Sequence, residues 1–266
     1  MPEGDTIFRT ATVLRRALLG GVVRRALAQP GPGLARVPDL SVLVGSTIEA
    51  VESRGKHLLV GFSSGAWLRT HMRMRGSWHR YAPGEPWRLP LRRAVCVLET
   101  DAAVAVCFDA PVVELLSSAE LPRHAGLRAL GPDLLAESPD FDEAVRRLQE
   151  RSSVPIGEAL LDQRALAGIG NVIKSEALFM ERLDPWAPVS AYSDTELRAV
   201  VERAATLLRA NTGGGRRVTT GRSAPGASLW VYGRSGRPCR RCRTLIQSRR
   251  QGEQARTTFW CPNCQA

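Results

Sequence analysis

Met1-Pro2-Glu3-Gly4-Asp5-Thr6 begins the chain, and with it the helix on which we expect the N-terminal fold to be built. Acidic residues lie in its first turn, and Gly20-Gly21 ends the apolar pattern. A proline is well suited to the first position of a helix. The simplest interpretation is that Pro-Glu only starts this helix. The apolar positions at helical spacing are Ile7, Ala11, Leu14 and Leu18.

The same residues allow a chemical interpretation. Removal of Met1 leaves Pro2 with a secondary amine, which can attack an electrophilic carbon and form an iminium that stays positively charged because it has no N–H left to lose. An ordinary α-amino group has a pKa of about 7.7–8.0, and the positive end of a helix dipole favours its neutral form. Glu3 is adjacent and can protonate a leaving group.

Length and composition set the class of protein. The chain has 266 residues, of which 44% are hydrophobic. This predicts two domains, or one large core with an appendage. No apolar run is long enough for a membrane span, and Arg9, Arg15 and Arg16 interrupt the first apolar stretch, so no signal peptide is recognised. We therefore expect a cytoplasmic protein.

The net charge of +11 is unevenly distributed. From Arg209 onward there are twelve arginines and one acidic residue, Glu253. This favours a polyanionic partner, most simply nucleic acid; the alternative is a basic surface that only increases solubility. Lys56 and Lys174 are the only lysines. Because arginine is not an amine nucleophile at ordinary pH, Schiff-base chemistry has three candidate amines: these two and the N-terminus.

Short apolar runs predict a β-sandwich or barrel in the first half of the chain. A turn at Ser53-Arg54-Gly55 places Lys56 at the start of a strand, and a Pro/Gly-rich loop is predicted at 30–38. Cys96 and Cys107 lie in apolar strands and are predicted to be core residues. The predicted strands are 21–28, 48–51, 57–62, 66–71, 94–99 and 104–108.

After a predicted linker at 131–139, the hydrophobic period becomes helical. The turn Gly168-Ile169-Gly170 before Asn171 can present backbone N–H groups to a phosphate, although such a turn can also only join two helices. The Gly-rich segment 211–227 follows the last helix and is interpreted as mobile. The predicted helices are 141–150, 156–163, 171–182 and 195–210.

Cys239-x2-Cys242-x18-Cys261-x2-Cys264 is the strongest single motif. Two cysteine pairs at this separation are typical of a tetrahedral structural zinc site, whose four thiolates leave no position for water. The alternative, a redox dithiol, would normally accompany a βαβ pattern, which is absent. A basic hairpin between the pairs can place Arg256 in a DNA groove.

The segment Thr70 to Trp78 mixes cations with flexible apolar side chains. If it forms a loop tip, Met74 can enter a base stack while Arg73 or Arg75 holds the opposite strand. The alternative is a strand in which both methionines are core residues.

Five motifs, in this order, resemble the formamidopyrimidine-DNA glycosylase / endonuclease VIII family. They are Met1-Pro2-Glu3-Gly4, Arg54-Gly55-Lys56, the 70–78 segment, Leu160-Leu161-Asp162-Gln163 to Asn171, and the cysteine module. The chain is most similar to the actinobacterial endonuclease VIII-like enzymes. The resemblance implies an α+β fold: an N-terminal β-sandwich with a leading helix (1–130), a helical helix–two-turn–helix domain (131–226) and a four-cysteine zinc-finger β-hairpin (227–266).

The resemblance also implies a function: a bifunctional DNA glycosylase and abasic-site lyase of base excision repair, which excises oxidised pyrimidines and nicks DNA by β,δ-elimination. It implies one structural Zn²⁺, damaged DNA as the partner, and a monomer at the nucleoid of a bacterial cytoplasm. The implied catalytic residues are Pro2 as nucleophile, Glu3 as acid and base, Lys56 in the elimination and Arg256 in its second step. The implied DNA contacts are Asn171, Arg73, Met74, Arg75 and Lys174.

Two departures from the family pattern leave alternatives open. Thr6 stands where many relatives have a second acid, and Asp5 is next to it. The Arg73-Met74-Arg75 segment combines features of both branches. A preference for oxidised purines, or a damaged-DNA-binding protein without catalysis, therefore remains an alternative.

Overall fold

The computed structural model divides the chain into two compact units, with the boundary between Arg128 and Ala129. Met1 and three residues of the loop predicted at 30–38 lie outside the described part of the chain. The described residues are 2–31, 34 and 36–266.

The first unit contains two four-stranded antiparallel sheets within its described residues. The strands are β1 (Arg25–Ala28), β2 (Ile48–Arg54), β3 (His57–Phe62), β4 (Ala66–His71), β5 (Ser77–Tyr81), β6 (Ala94–Glu99), β7 (Val104–Phe108) and β8 (Val112–Ser117). One sheet has the order β1-β6-β7-β5 and the other β2-β3-β4-β8. The predicted β-sandwich is confirmed, and β3, β4, β6 and β7 have the predicted bounds.

Strands β5 and β8 were not predicted. Each lies at the edge of its sheet and mixes buried with exposed residues. The predicted strands β3 and β7 are instead buried along their whole length. A sheet interior imposes a continuous apolar run, whereas an edge strand tolerates polar residues and gives a weaker pattern.

Helix α1 (Gly4–Leu18) packs its apolar stripe into the core of this unit. Ile7, Ala11, Leu14 and Leu18 are each 1% exposed and share one cluster with residues of both sheets. Burial of an Ile or Leu side chain contributes about 1.5–3 kcal/mol. The predicted core cysteines, Cys96 and Cys107, lie in the same cluster. The leading helix therefore packs against the core residues of both sheets, and the fold predicted for this half is confirmed.

The second unit begins with helices joined by short turns. Asp140 caps α3 (Phe141–Gln149) through the N–H of Glu143, and Ser193 and Glu196 form a capping box on α6 (Asp194–Ala210). None of the helices in the described part of the chain is long and apolar enough to span a bilayer. The other α-helices after α1 are α2 (Ala125–Arg128) at the end of the first unit, and α4 (Ile156–Ala159) and α5 (Asn171–Glu181) in the second.

The stretch predicted as a linker at 131–139 is packed into the second unit, so the linker prediction is wrong. The Gly131 N–H donates to Gln163 O, and a Cβ at Gly131 would lie 2.2 Å from Ala165 O. Leu134 is fully buried. Gly131 here permits a close backbone approach instead of providing flexibility.

The cysteine module forms a hairpin, β9 (Gln247–Gln251) and β10 (Arg256–Trp260), between its two cysteine pairs. It packs on the C-terminal end of α5. Arg241, between the first two cysteines, donates to Phe179 O and Met180 O, and its guanidinium lies 4.5 Å from the centre of the Phe179 ring. The module therefore contacts carbonyl groups in the last turn of this helix and the ring of Phe179.

Candidate active site and metal centre

Pro2 and Glu3 lie immediately before α1. The helix begins at Gly4, and Glu3 is its N-cap residue with an extended backbone. The Glu3 carbonyl accepts hydrogen bonds from the N–H groups of Thr6 (3.0 Å) and Ile7 (3.1 Å). Pro2 is half-buried and Glu3 is fully buried. Pro2 therefore precedes the helix instead of heading it, but it remains at the positive end of the dipole.

Thr6 is hydrogen-bonded to Asp5. The Asp5 carboxylate is 2% exposed, and its Oδ1 accepts the Thr6 N–H at 2.6 Å and the Thr6 hydroxyl at 3.2 Å. This chain therefore has a hydroxyl paired with a neighbouring carboxylate at the position where many relatives have a second acid.

Lys56 lies in a two-residue turn between β2 and β3. The register pairs Arg54 with His57, so Gly55 and Lys56 form the turn. The predicted turn, Ser53-Arg54-Gly55, ended one residue earlier, and Lys56 lies in the turn and not at the start of the strand. Gly55 has φ of +57°, a left-handed conformation that glycine adopts readily. Lys56 is half-buried. A short hairpin thus holds the lysine backbone in place.

The loop between β4 and β5 presents Met74. Met72 is 2% exposed and belongs to the core, whereas Met74 is 54% exposed. Arg73 has φ of +48°, and the Gly76 N–H donates to Met72 O at 2.8 Å. A Cβ at Gly76 would lie 2.7 Å from that oxygen, so glycine permits the tight turn. The two methionines thus have different environments, and Met74 lies at an exposed loop tip between two exposed arginines.

A polar cluster that the sequence did not indicate covers one face of the sheet β2-β3-β4-β8. Arg69 is 7% exposed and donates to His57 Nδ1 at 3.0 Å and to the Glu114 carboxylate. Burial, with the charge of Arg69 as the next cause, lowers the pKa of His57 to about 2. Burial, with the charges of Arg73, Arg69 and Lys56, lowers the pKa of His71 to about 4. Both imidazoles are therefore neutral near pH 7.

Asn171 begins helix α5 and holds the hairpin. Its Nδ2 donates to Thr257 O at 2.7 Å, while its buried Oδ1 has no hydrogen-bond partner in the described structure. Gly168 has φ of +104°, which allows the chain to turn into the helix. A DNA contact of Asn171 stays a prediction, and the structure adds a contact with β10.

Lys174 is fully buried and supports the same strand. Its Nζ donates to Thr258 Oγ1 at 2.6 Å, Thr258 donates to Gln251 Oε1 at 2.6 Å, and Gln251 Nε2 donates to Pro185 O at 2.7 Å. This chain of hydrogen bonds ties both hairpin strands to the helical part of the unit. Arg256, half-buried, lies at the start of β10, two residues before Thr258. The DNA contact expected of Lys174 stays a prediction beside this structural role.

Glu176 is fully buried and accepts four hydrogen bonds from the segment 219–232. Its two oxygens accept the Trp230, Val231 and Tyr232 N–H groups at 2.7, 2.9 and 2.8 Å and the Thr219 hydroxyl. A buried carboxylate is retained only when its lone pairs are satisfied. Glu176 therefore fixes both ends of the Gly-rich loop 220–227.

Glu176→Gln is expected to lower the free energy of unfolding by about 1–3 kcal/mol, because an amide NH₂ would face backbone donors. Hydrogen exchange at residues 228–232 should accelerate in the variant. Glu202→Gln, at an exposed position of α6, should change stability by no more than about 0.5 kcal/mol. Equal stability of the two variants in denaturant unfolding would contradict this role.

The four cysteines of the module form a candidate metal centre. Their sulfurs all lie within 4.8 Å of one another, with Cys239 and Cys264 Sγ 3.9 Å apart and Cys242 and Cys261 Sγ 3.4 Å apart. A tetrahedral site with Zn–S bonds of about 2.3 Å has edges of about 3.8 Å. The cluster can therefore hold one metal ion with four sulfur ligands.

Comparison with known proteins identifies the family. The model of the formamidopyrimidine-DNA glycosylase N-terminal domain matches residues 1–111, and that of the formamidopyrimidine-DNA glycosylase H2TH domain matches residues 130–221. The probable endonuclease 8 2 of Streptomyces coelicolor is 41% identical over all of this chain and 94% of its own. The DNA-(apurinic or apyrimidinic site) lyase Nei2 of Mycolicibacterium smegmatis is 42% identical over all of this chain and 99% of its own.

Among solved structures, the Lactococcus lactis formamidopyrimidine-DNA glycosylase bound to DNA with an abasic site superposes with a TM-score of 0.84. The match covers 99% of both chains at 22% identity, and it supports the predicted α+β fold. The family models span most of the sequence, and the two relatives match it throughout. The chain therefore belongs to the formamidopyrimidine-DNA glycosylase family, the DNA glycosylases and lyases of base excision repair.

Proposed function

We propose that this protein removes oxidised pyrimidines from DNA through a covalent intermediate at Pro2 and then nicks the strand by β,δ-elimination. The proposal is supported by the pair Pro2-Glu3: a residue that carries a secondary amine once Met1 is removed, next to a fully buried carboxyl at the positive end of α1. It is also supported by the likeness to relatives named endonuclease 8 and Nei2.

In the proposed reaction the Pro2 nitrogen attacks C1′ of a nucleotide that has left the base stack. The C1′–base bond breaks, the electron pair leaves with the base, and the proton that the Pro2 nitrogen loses neutralises the base. Glu3 donates a proton to O4′ as the C1′–O4′ bond breaks, which gives the iminium. Removal of a C2′ proton then expels the 3′-phosphate, and removal of a C4′ proton expels the 5′-phosphate. Water hydrolyses the remaining iminium and restores the amine.

The other predicted residues receive supporting roles. Lys56 protonates or holds the sugar and phosphate during elimination. Arg256 assists the second elimination, and with Asn171 it binds phosphates that flank the lesion. Extrusion of a base from a duplex costs a few kcal/mol, and Met74, with Arg73 and Arg75, would offset it by filling the vacated stack. We propose that Lys174 acts on DNA indirectly, through the hairpin strand that carries Arg256.

We propose that the ion in the cysteine cluster is a structural Zn²⁺. It is held by Cys239, Cys242, Cys261 and Cys264, and it stabilises the hairpin rather than taking part in the reaction. We further propose that the protein is a monomer of the bacterial cytoplasm, associated with the nucleoid. Its proposed structural domains are 1–130, 131–226 and 227–266, and the last two lie within the second unit.

A lesion panel tests the substrate preference. Duplexes with one oxidised pyrimidine should be cleaved about 10-fold or more faster than duplexes with one oxidised purine, since pocket contacts commonly discriminate by that factor. The measurement is the single-turnover rate of strand cleavage, with an undamaged duplex as control. Faster cleavage of the oxidised purine would support the alternative specificity. Tight binding without cleavage of any lesion would support the non-catalytic alternative.

A further inference from the structure

His71 connects the polar cluster of the first unit to the loop that carries Met74. It is the last residue of β4, and it pairs in register with His57 of β3. The two rings are 4.8 Å apart, edge to face. On the other side, His71 Nδ1 accepts the N–H of Arg73 at 3.1 Å. One imidazole thus contacts both the packed sheet face and the first residues of the loop.

That hydrogen bond stabilises an uncommon backbone conformation. Arg73 has φ of +48°, in the left-handed region that is unfavourable for residues with a side chain. Bonding requires a lone pair on Nδ1, which a neutral imidazole protonated on Nε2 has and an imidazolium lacks. Burial and the nearby cations Arg73, Arg69 and Lys56, which lower the pKa of His71 to about 4, keep that lone pair available.

The ring of His71 packs against His57, which belongs to the polar cluster of Arg69, Glu114 and His124. Arg69 lies between His57 Nδ1 and the Glu114 carboxylate, and Glu114 Oε2 is 3.2 Å from His124 Nε2. His124 Nδ1 accepts the N–H of Leu127 at 3.2 Å, which places the proton of a neutral His124 ring on Nε2, facing the carboxylate. These contacts join β3, β4, β8 and the segment before Arg128.

We propose that His71 is a positioning residue for duplex DNA: as a neutral hydrogen-bond acceptor, it fixes Arg73 in the left-handed conformation and so sets the direction in which Met74 enters the base stack. The inference rests on the proposed function, because it assumes that this loop enters the duplex. In this proposal the acceptor is held by the buried residues His57 and Arg69 together with the partly exposed Glu114 and His124.

The variants His71→Asn and His71→Leu have side chains of nearly equal shape, so comparing them separates the effect of the hydrogen-bond acceptor from that of side-chain size. Asn places Oδ1 where His has Nδ1, whereas Leu places a methyl group there. The substrates are an abasic site in duplex DNA, which needs the loop to open the stack, and the same site in single-stranded DNA, which does not. The readout is the ratio of kcat/KM on the duplex to kcat/KM on the single strand.

We expect His71→Leu to lower this ratio about 3- to 10-fold, the range of one lost hydrogen bond, and His71→Asn to keep it within about twofold of wild type. The fluorescence of 2-aminopurine placed next to the site should report less unstacking with His71→Leu only. The inference would be overturned if both variants had the wild-type ratio of duplex to single-strand kcat/KM. It would also be overturned if His71→Leu lowered kcat/KM equally on both substrates. Absence of cleavage by wild type on either substrate would instead count against the proposed function.

Discussion

Pro2→Gly is expected to lower borohydride trapping and strand cleavage about 100-fold or more, because the nucleophile loses both its secondary amine and its fixed ring geometry. The variant keeps an amine at the same place in the chain. Residual trapping should therefore be slow but detectable. The measurement is the single-turnover rate of cross-linking to a duplex with an abasic site in the presence of borohydride.

Two controls identify the reacting amine. A chain with a permanent N-terminal extension has the Pro2 nitrogen in an amide bond, so it should not trap DNA at all. Lys56→Arg retains the positive charge but cannot act as an amine nucleophile, so it should still trap DNA while its elimination slows. Normal trapping by the extended chain would show that an amine other than that of Pro2 forms the bond.

Loss of the metal is expected to have the second large effect. Structural zinc sites contribute about 10–16 kcal/mol of folding free energy in small zinc-binding peptides. The module here holds the hairpin with Arg256 and, through Arg241, the end of α5. Cys264→Ser should therefore bind less than one metal ion per chain and should bind abasic-site DNA at least about 10-fold more weakly.

Cys107→Ala provides the matched control, since Cys107 is a buried core residue outside the metal cluster. It should retain one zinc ion per chain by elemental analysis and wild-type DNA affinity, although its own core packing is slightly weakened. Wild-type metal content and DNA affinity in Cys264→Ser would contradict the role of the cluster.

The sequence predicted the sandwich because sheet interiors require continuous apolar runs. Strands β3 and β7 have such runs and were placed at their observed bounds. Strands β5 and β8 are edges, with Arg80 and Glu114 among their residues, and they lacked that pattern. The Pro/Gly stretch at 131–139 has the composition of a linker, but Gly131 packs closely against the backbone of Ala165. Composition alone cannot distinguish a flexible linker from such a close backbone approach.

The hydrogen-bond partners of the buried charged residues could not be predicted from the sequence, for a different reason. Lys174 and Glu176 lie on a helix that is buried along nearly its whole length, so no polar face indicates where their side chains point. The partners of Glu176 lie 43 to 56 residues further along the chain. Pairings over such distances depend on tertiary structure, and a sequence pattern of period 2 or 3.6 contains no information about them.

Mass spectrometry of the borohydride-reduced complex can locate the covalent bond between Pro2 and the sugar. After nuclease and protease digestion, the sugar remnant should be found on the peptide that begins with Pro2, at its N-terminal nitrogen. A remnant on Lys56 or Lys174, or a trapped complex from a chain that retains Met1, would contradict the account.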